Sequence, residues 1–140
     1  MSYISNKFKK PNLLIQKVEE IAKQYNLPTR VFKNTIDVGR FYSEELEMYH
    51  PLISLSPSLN ALEGEIVIPG EYPYKTDILK EVLDTFQKYE MLTPATVLEV
   101  HISIAGIHIH IRLINEELHI LNEYLNILKK HFKNLNNIIV

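Results

Sequence analysis

Thr96–Leu113, TVLEVHISIAGIHIHIRL, alternates with a period of two along nearly its whole length. Leu98, Val100, Ile102 and Ile104, then Ile107, Ile109, Ile111 and Leu113, fall on one side. Glu99, His101 and Ser103, then His108, His110 and Arg112, fall on the other. A period of two is the mark of a strand with one face buried and one face wet. A reversal at Ala105-Gly106 predicts an antiparallel hairpin with Glu99 opposite Arg112, His101 opposite His110 and Ser103 opposite His108. In that register every apolar residue meets another apolar residue, and three histidines share the polar face.

On the C-terminal side, Asn115 caps a predicted helix with Glu116 and Glu117 in its first turn and Lys129, Lys130 and Lys133 in its last turns. That arrangement suits the helix dipole at both ends. Leu118, Leu121, Leu125, Leu128, Phe132 and Leu135 form one stripe, widened by Ile120, Tyr124 and Ile127. Asn136-Asn137 then reads as a turn and Ile138-Ile139-Val140 as a short last strand.

On the N-terminal side, Thr76 and Asp77 open a helix with Ile78, Leu79, Val82, Leu83 and Phe86 on one face, ending before Pro94. Glu65-Ile66-Val67-Ile68 reads as a strand ended by Pro69-Gly70. Residues 62–140 therefore run strand, helix, strand, strand, helix, strand. That is the split βαβ order of a ferredoxin-like α+β domain, an antiparallel sheet with two helices on one face and the other face open.

Residues 1–61 read as an N-terminal helix and an irregular β extension of the same single domain, residues 1–140. The helix spans Pro11 to Tyr25 with Leu14, Val18, Ile21 and Ala22 inward. Arg30 to Phe32 and Leu52 to Leu55 are candidate strands, and Ser43 to Tyr49 a candidate helical turn or two. The extension is expected either to lengthen the sheet or to cover its open face.

Composition removes several classes of answer. With no cysteine, the chain of 140 residues has neither disulfides nor thiolate ligands nor a cysteine nucleophile, and it suits a reducing cytosol. No apolar run is long enough for a bilayer span or a signal peptide. Charge is skewed: residues 1–40 hold eight Lys/Arg against three acids, and residues 41–100 hold three against eleven. Lys17 and Lys23 lie on the solvated side of a helix and no basic stripe joins them to Arg30 or Arg40, which argues against nucleic acid.

The polar side of the hairpin carries the candidate chemistry. His101, His108 and His110 could converge on zinc or manganese with a water position left open, an arrangement similar in geometry to the zinc site of carbonic anhydrases. Glu99 would then act as base or orienting carboxylate, and Arg112 would hold an anionic substrate. His108-Ile109-His110 also resembles the His-hydrophobic-His signature of tyrosine endonucleases that nick single-stranded DNA, with Glu99 placed as a third ligand. In such a site Tyr25 or Tyr42 would have to reach across the open face, because Tyr124 lies on the helix behind the sheet. His101-Ile102-Ser103 resembles half of the paired motif of two-histidine phosphodiesterases, and the second half is absent. RNA-recognition domains share the split βαβ order, but this hairpin offers no aromatic residue on which to stack a base.

Two functional expectations follow. The first is a small cytosolic binding or regulatory module, homodimeric, holding a small-molecule ligand or protein partner. It would use the open face (His101, Ser103, His108, His110, Arg112) and the loop aromatics Tyr42, Tyr72 and Tyr74. The second is a metal-dependent hydrolase or phosphodiester-cleaving enzyme built on the three histidines.

Overall fold

In the computed structural model, residues 12–43, 46–70, 75–89 and 96–132 are described. The described elements are α1 (Leu13–Gln24), β1 (Thr29–Phe32), β2 (Thr35–Val38), β3 (Phe41–Ser43), β4 (Met48–His50), β5 (Ile53–Ser58), β6 (Ala61–Pro69), α2 (Thr76–Tyr89), β7 (Thr96–Ile102), β8 (Gly106–Ile114) and, after a short turn of 3-10 helix at Asn115–Glu117, α3 (His119–His131). Among the described residues no helix is long and apolar enough to cross a membrane.

Six strands form one antiparallel sheet in the order β1-β2-β5-β6-β8-β7, and β3 pairs with β4 in a separate hairpin. β6 and β7 both run antiparallel to β8, so they are parallel to each other and joined by α2. The expected ferredoxin-like arrangement is not reproduced as such. The slot beside β6, where a strand following the last helix would lie, is occupied by β5. The strand expected at 138–140 lies outside the described residues. The extension lengthens the sheet through β1, β2 and β5, and Ser43 to Tyr49 contributes the ends of a hairpin rather than a helical turn.

The alternation read from the sequence is carried out by β8. Ile107, Ile109, Ile111 and Leu113 are fully buried, and each such side chain contributes about 1.5–3 kcal/mol relative to exposure. β6 adds Leu62, Ile66 and Ile68 to the same face, β5 adds Ile53 and Leu55, and β2 adds Ile36 and Val38. Three helices cover this face, with α3 in the middle. Tyr25, which ends α1, donates to Asn122 O at 3.0 Å on α3. Glu81 on α2 takes Lys130 at 2.8 Å and His131 at 2.9 Å from the end of α3.

The first and last helices, α1 and α3, begin slightly later than expected, because the first backbone N–H groups need side-chain partners. Asn12 Oδ1 accepts from Leu14 and Ile15 at 2.9 and 3.1 Å, so α1 starts at Leu13. Glu117, fully buried, folds back to accept the Ile114 N–H at 2.8 Å, and the helix proper starts at His119.

The hairpin turns at Ile104-Ala105, not at Ala105-Gly106. Gly106 is instead the first residue of β8, at φ +154°, where a Cβ would sit 2.2 Å from Ile68 O on β6. The glycine is required by strand approach rather than by the turn. The register accordingly slides by two, giving Glu99 opposite His110 and His101 opposite His108. Because the slide is even, each side chain from Glu99 onward keeps its face while its partner changes. Arg112 now faces Glu63 on β6 and Thr96 on β7, with a bulge between Val97 and Glu99 absorbing the extra residue. One expectation fails on β7. Leu98, Val100, Ile102 and Ile104 stay 38–56% exposed, because β7 is the edge strand and the described helices do not reach over it.

Tyr124 fastens α3 to the sheet. Its hydroxyl, with Leu52 O at 3.1 Å and Val67 O both in reach of its single proton, also accepts from Val67 N–H at 3.2 Å, just beyond the β5–β6 ladder. Burial pushes its phenol pKa far up, so it remains a neutral donor. Val67 N–H and Leu52 O also bond to each other at 2.9 Å, so Tyr124→Phe chiefly costs the Val67 carbonyl its hydroxyl partner and should lower unfolding free energy by about 1–3 kcal/mol in urea titration, with the slope m unchanged.

Lys130 and then His131 hold the Glu81 carboxyl below the usual glutamate range. A depressed carboxylate pKa stabilises the fold above the unfolded-state value and loses that effect as pH falls through the folded one. Glu81→Gln should therefore cost at most about 1 kcal/mol at neutral pH, since the groups are solvated, and nothing once pH drops below the lowered pKa. Urea midpoints of both proteins at neutral and strongly acidic pH check the sign.

Candidate functional site

The face away from the helices is polar, and strand pairing arranges it in rows. Asp37, Ser54, Glu65, His110 and Glu99 lie in one row across β2, β5, β6, β8 and β7. Ser56, Glu63 and Arg112 lie in the next, with Thr35 bonded to Ser56 at 2.8 Å. Val67, His108 and His101 form the third. Ser54 Oγ donates to Asp37 Oδ1 at 2.8 Å, which fixes the far end of the first row.

One chain of bonds runs along the hairpin end of this face. Ser103 Oγ lies 2.9 Å from His108 Nε2, and His108 Nδ1 lies 3.2 Å from Glu65 Oε1. A hydroxyl, an imidazole and a carboxylate in series can draw a proton from the hydroxyl. Here, however, the Ser103 N–H, which in such centres commonly faces a developing oxyanion, is spent on Gly106 O at 2.8 Å. Ser103 Oγ is also 3.3 Å from Gly106 O. The chain therefore clamps the hairpin end to β6 and sets the orientation of His108.

His50 was missed by sequence reasoning. The β3–β4 hairpin carries it to the edge of the open face, its ring edge-on to His108 with centroids 6.3 Å apart and stacked on Phe41 at 5.6 Å. Its Nε2 is buried with no hydrogen-bond partner among the described residues. No local pattern announces this. His50 reaches His108 through pairing of β4 with β3, far from β8 in sequence.

The three histidines of the expected metal centre share the face without converging. His101 pairs with Glu99 at 3.0 Å, His108 with Ser103 and Glu65, and His110 lies opposite Glu65. Among the described residues no group of three His, Asp or Glu side chains is placed to hold a metal ion. Of the expected loop aromatics, Tyr42 is exposed on β3 and packs edge-on to Tyr49 at 5.0 Å. Tyr72 and Tyr74 lie outside the described residues.

Beside the open face the structure forms a cleft of about 360 Å³ walled by Arg30, Asp37, Arg40, Tyr49 and His50. The Arg40 guanidinium stands 4.7 Å from the Tyr49 ring centroid. Gly39, at φ 63°, donates to Pro28 O at 2.7 Å and turns the chain from β2 toward β3 around the floor of the cleft. Asp37 and His50 belong to both regions, so cleft and open face form one surface.

A carboxylate at Nδ1 can only accept, so the neutral form of His108 is expected to carry its proton on Nδ1 toward Glu65, with Nε2 turned to the Ser103 hydroxyl. Nitrogen-detected NMR should find that form in the wild type and a shift toward the Nε2–H form in Ser103→Ala. A wild type dominated by Nε2–H would contradict the chain of bonds.

A scan against protein-family models, a search of curated proteins and a search of solved structures each found nothing that matches this chain.

Proposed function

We propose that this protein is a small homodimeric binding module whose ligand is a compact anion, a carboxylate or phosphate ester. The anionic group sits between Arg30 and Arg40, and a flat portion lies against Tyr49 and His50. The observation that carries the reading is two guanidiniums on the walls of one cleft, one of them over an aromatic ring. Guanidinium forks match carboxylate and phosphate oxygens, and a ring beside them favours a ligand with a planar part. The volume is within the usual range for small-molecule sites. The row from Asp37 to Glu99 extends the cleft with donors and acceptors suited to hydroxyl groups on the rest of the ligand. The sequence, which lacks cysteine, fits work in the reducing cytosol. Hydrolysis at a three-histidine metal centre is not carried forward, since its ligand set is not assembled among the described residues.

Phenyl phosphate and inorganic phosphate, titrated separately into the protein and followed by amide and side-chain NMR, test the reading. Saturable shifts at Arg30, Arg40, Tyr49 and His50 are expected, with phenyl phosphate binding more tightly than phosphate. Arg30→Met should weaken binding by about tenfold, the typical worth of a charged hydrogen bond. Shifts scattered over the surface, or unaffected by Arg30→Met, would rule the cleft out.

A further inference from the structure

The two edges of the six-stranded sheet are treated differently. On β1, Arg30 and the adjoining Lys33 stand 5.7 and 5.6 Å from the ring centroid of exposed Phe32, so charge guards that edge. β7 has neither lysine, arginine nor proline in its seven positions, and among the described residues nothing pairs its outer side. Its neighbouring apolar side chains, Leu98, Val100, Ile102 and Ile104, are exposed together. Beyond its bulge at Val97–Glu99, an edge with exposed apolar side chains and no lysine, arginine or proline is the kind that pairs with another strand.

Backbone direction and charge say which strand fits. Ser103 and Gly106 exchange both backbone bonds, at 2.8 and 3.2 Å. Bonding in an antiparallel ladder alternates, so Glu99 and His101 turn their N–H and C=O toward β8, and Val100 and Ile102 turn theirs to the free edge. On the open face, Glu99 Oε2 and His101 Nε2 lie 3.0 Å apart, an acid and a base one strand repeat from each other. Such an edge is complementary to itself when reversed.

We infer that β7 pairs antiparallel with β7 of a second copy of this chain, about a two-fold axis through Val100, joining two six-stranded sheets into one. In this register Val100 bonds to the partner's Val100, Leu98 lies opposite the partner's Ile102, and Glu99 lies opposite the partner's His101. The Glu99–His101 positions are the closely spaced, non-bonded pairs of the new ladder, where cross-strand side chains interact most strongly. The neighbouring register, with its axis at His101, sets the two His101 side chains against each other and loses this complement. The exposed apolar residues of both edges meet on the helix side and cover one another. The inference deepens the homodimer part of the proposed function, supplying its interface, and does not depend on the anion cleft.

Sedimentation velocity of the full chain over a range of concentrations tests it. The wild type should be a dimer. Val100→Arg should be monomeric with an unchanged circular dichroism spectrum and an unchanged phenyl phosphate titration, which separates failure of the interface from failure of the cleft. Glu99 and His101 are 57% and 61% exposed, so exchanging them leaves the core alone. His101→Glu sets like charges opposite each other twice and should weaken the dimer about tenfold. The Glu99→His/His101→Glu double variant should restore it. A wild type that is monomeric throughout, or a dimer indifferent to Val100→Arg and to the charge exchange, overturns the proposal. A monomer that dimerises when residues 133–140 are removed also overturns it, since the chain's own C-terminal segment would then occupy the edge.

Discussion

β8 is the strand on which the rest of the structure depends, because it is paired along both edges and its two faces have opposite chemistry. Four inward side chains, Ile107, Ile109, Ile111 and Leu113, are fully buried, and His108, His110 and Arg112 point the other way. Burying the first set requires helices on that side, and the polarity of the second keeps helices off the other. The strands added outward through β6, β5 and β2 repeat the same division, except that β6 sets buried Val67 beside His108 on the other face. The division is what leaves a broad polar face with no helix over it.

Side-chain direction and side-chain partnership answer to different constraints. Direction follows from the pleat and survives an even slide of register, so the faces of the hairpin are those its sequence announces. Partnership depends on where the turn closes. The turn moved because Gly106 is needed where β8 passes Ile68 O, an approach from a strand well removed in sequence. The Glu99–Arg112 pair thereby gave way to Glu99–His110, and His101 came to lie opposite His108, which still bonds to Ser103 and also to Glu65. A cross-strand pair that looks ideal in a sequence is conditional on a register set by its neighbours.

The candidate ligand surface and the candidate interface occupy opposite ends of the sheet. The cleft forms where β1, β2 and the β3–β4 hairpin meet, and the unguarded edge is β7. A dimer through β7 would place one cleft at each outer end of the joined sheet, leaving both open to ligand. The polar row linking Asp37 to Glu99 spans the distance between them on a continuous pleated surface.

By itself, the sequence determined the α+β class, the hairpin and its faces, the helices α1, α2 and α3, and the strand that becomes β6. All of these rest on local periodicity, caps and turn residues, which act over a few positions and need no knowledge of neighbours. The tertiary structure decided the sheet order, the use of β5 beside β6, the two-residue register slide and the exposure of the β7 apolar side. It also decided the site. His50 beside His108, Glu65 on the His108 ring, and Arg30 and Arg40 across one cleft are meetings of segments distant in the chain. The physical reason is that pairing partners are chosen by burial of apolar area and strand approach over the whole domain, and no periodicity within one segment records that choice.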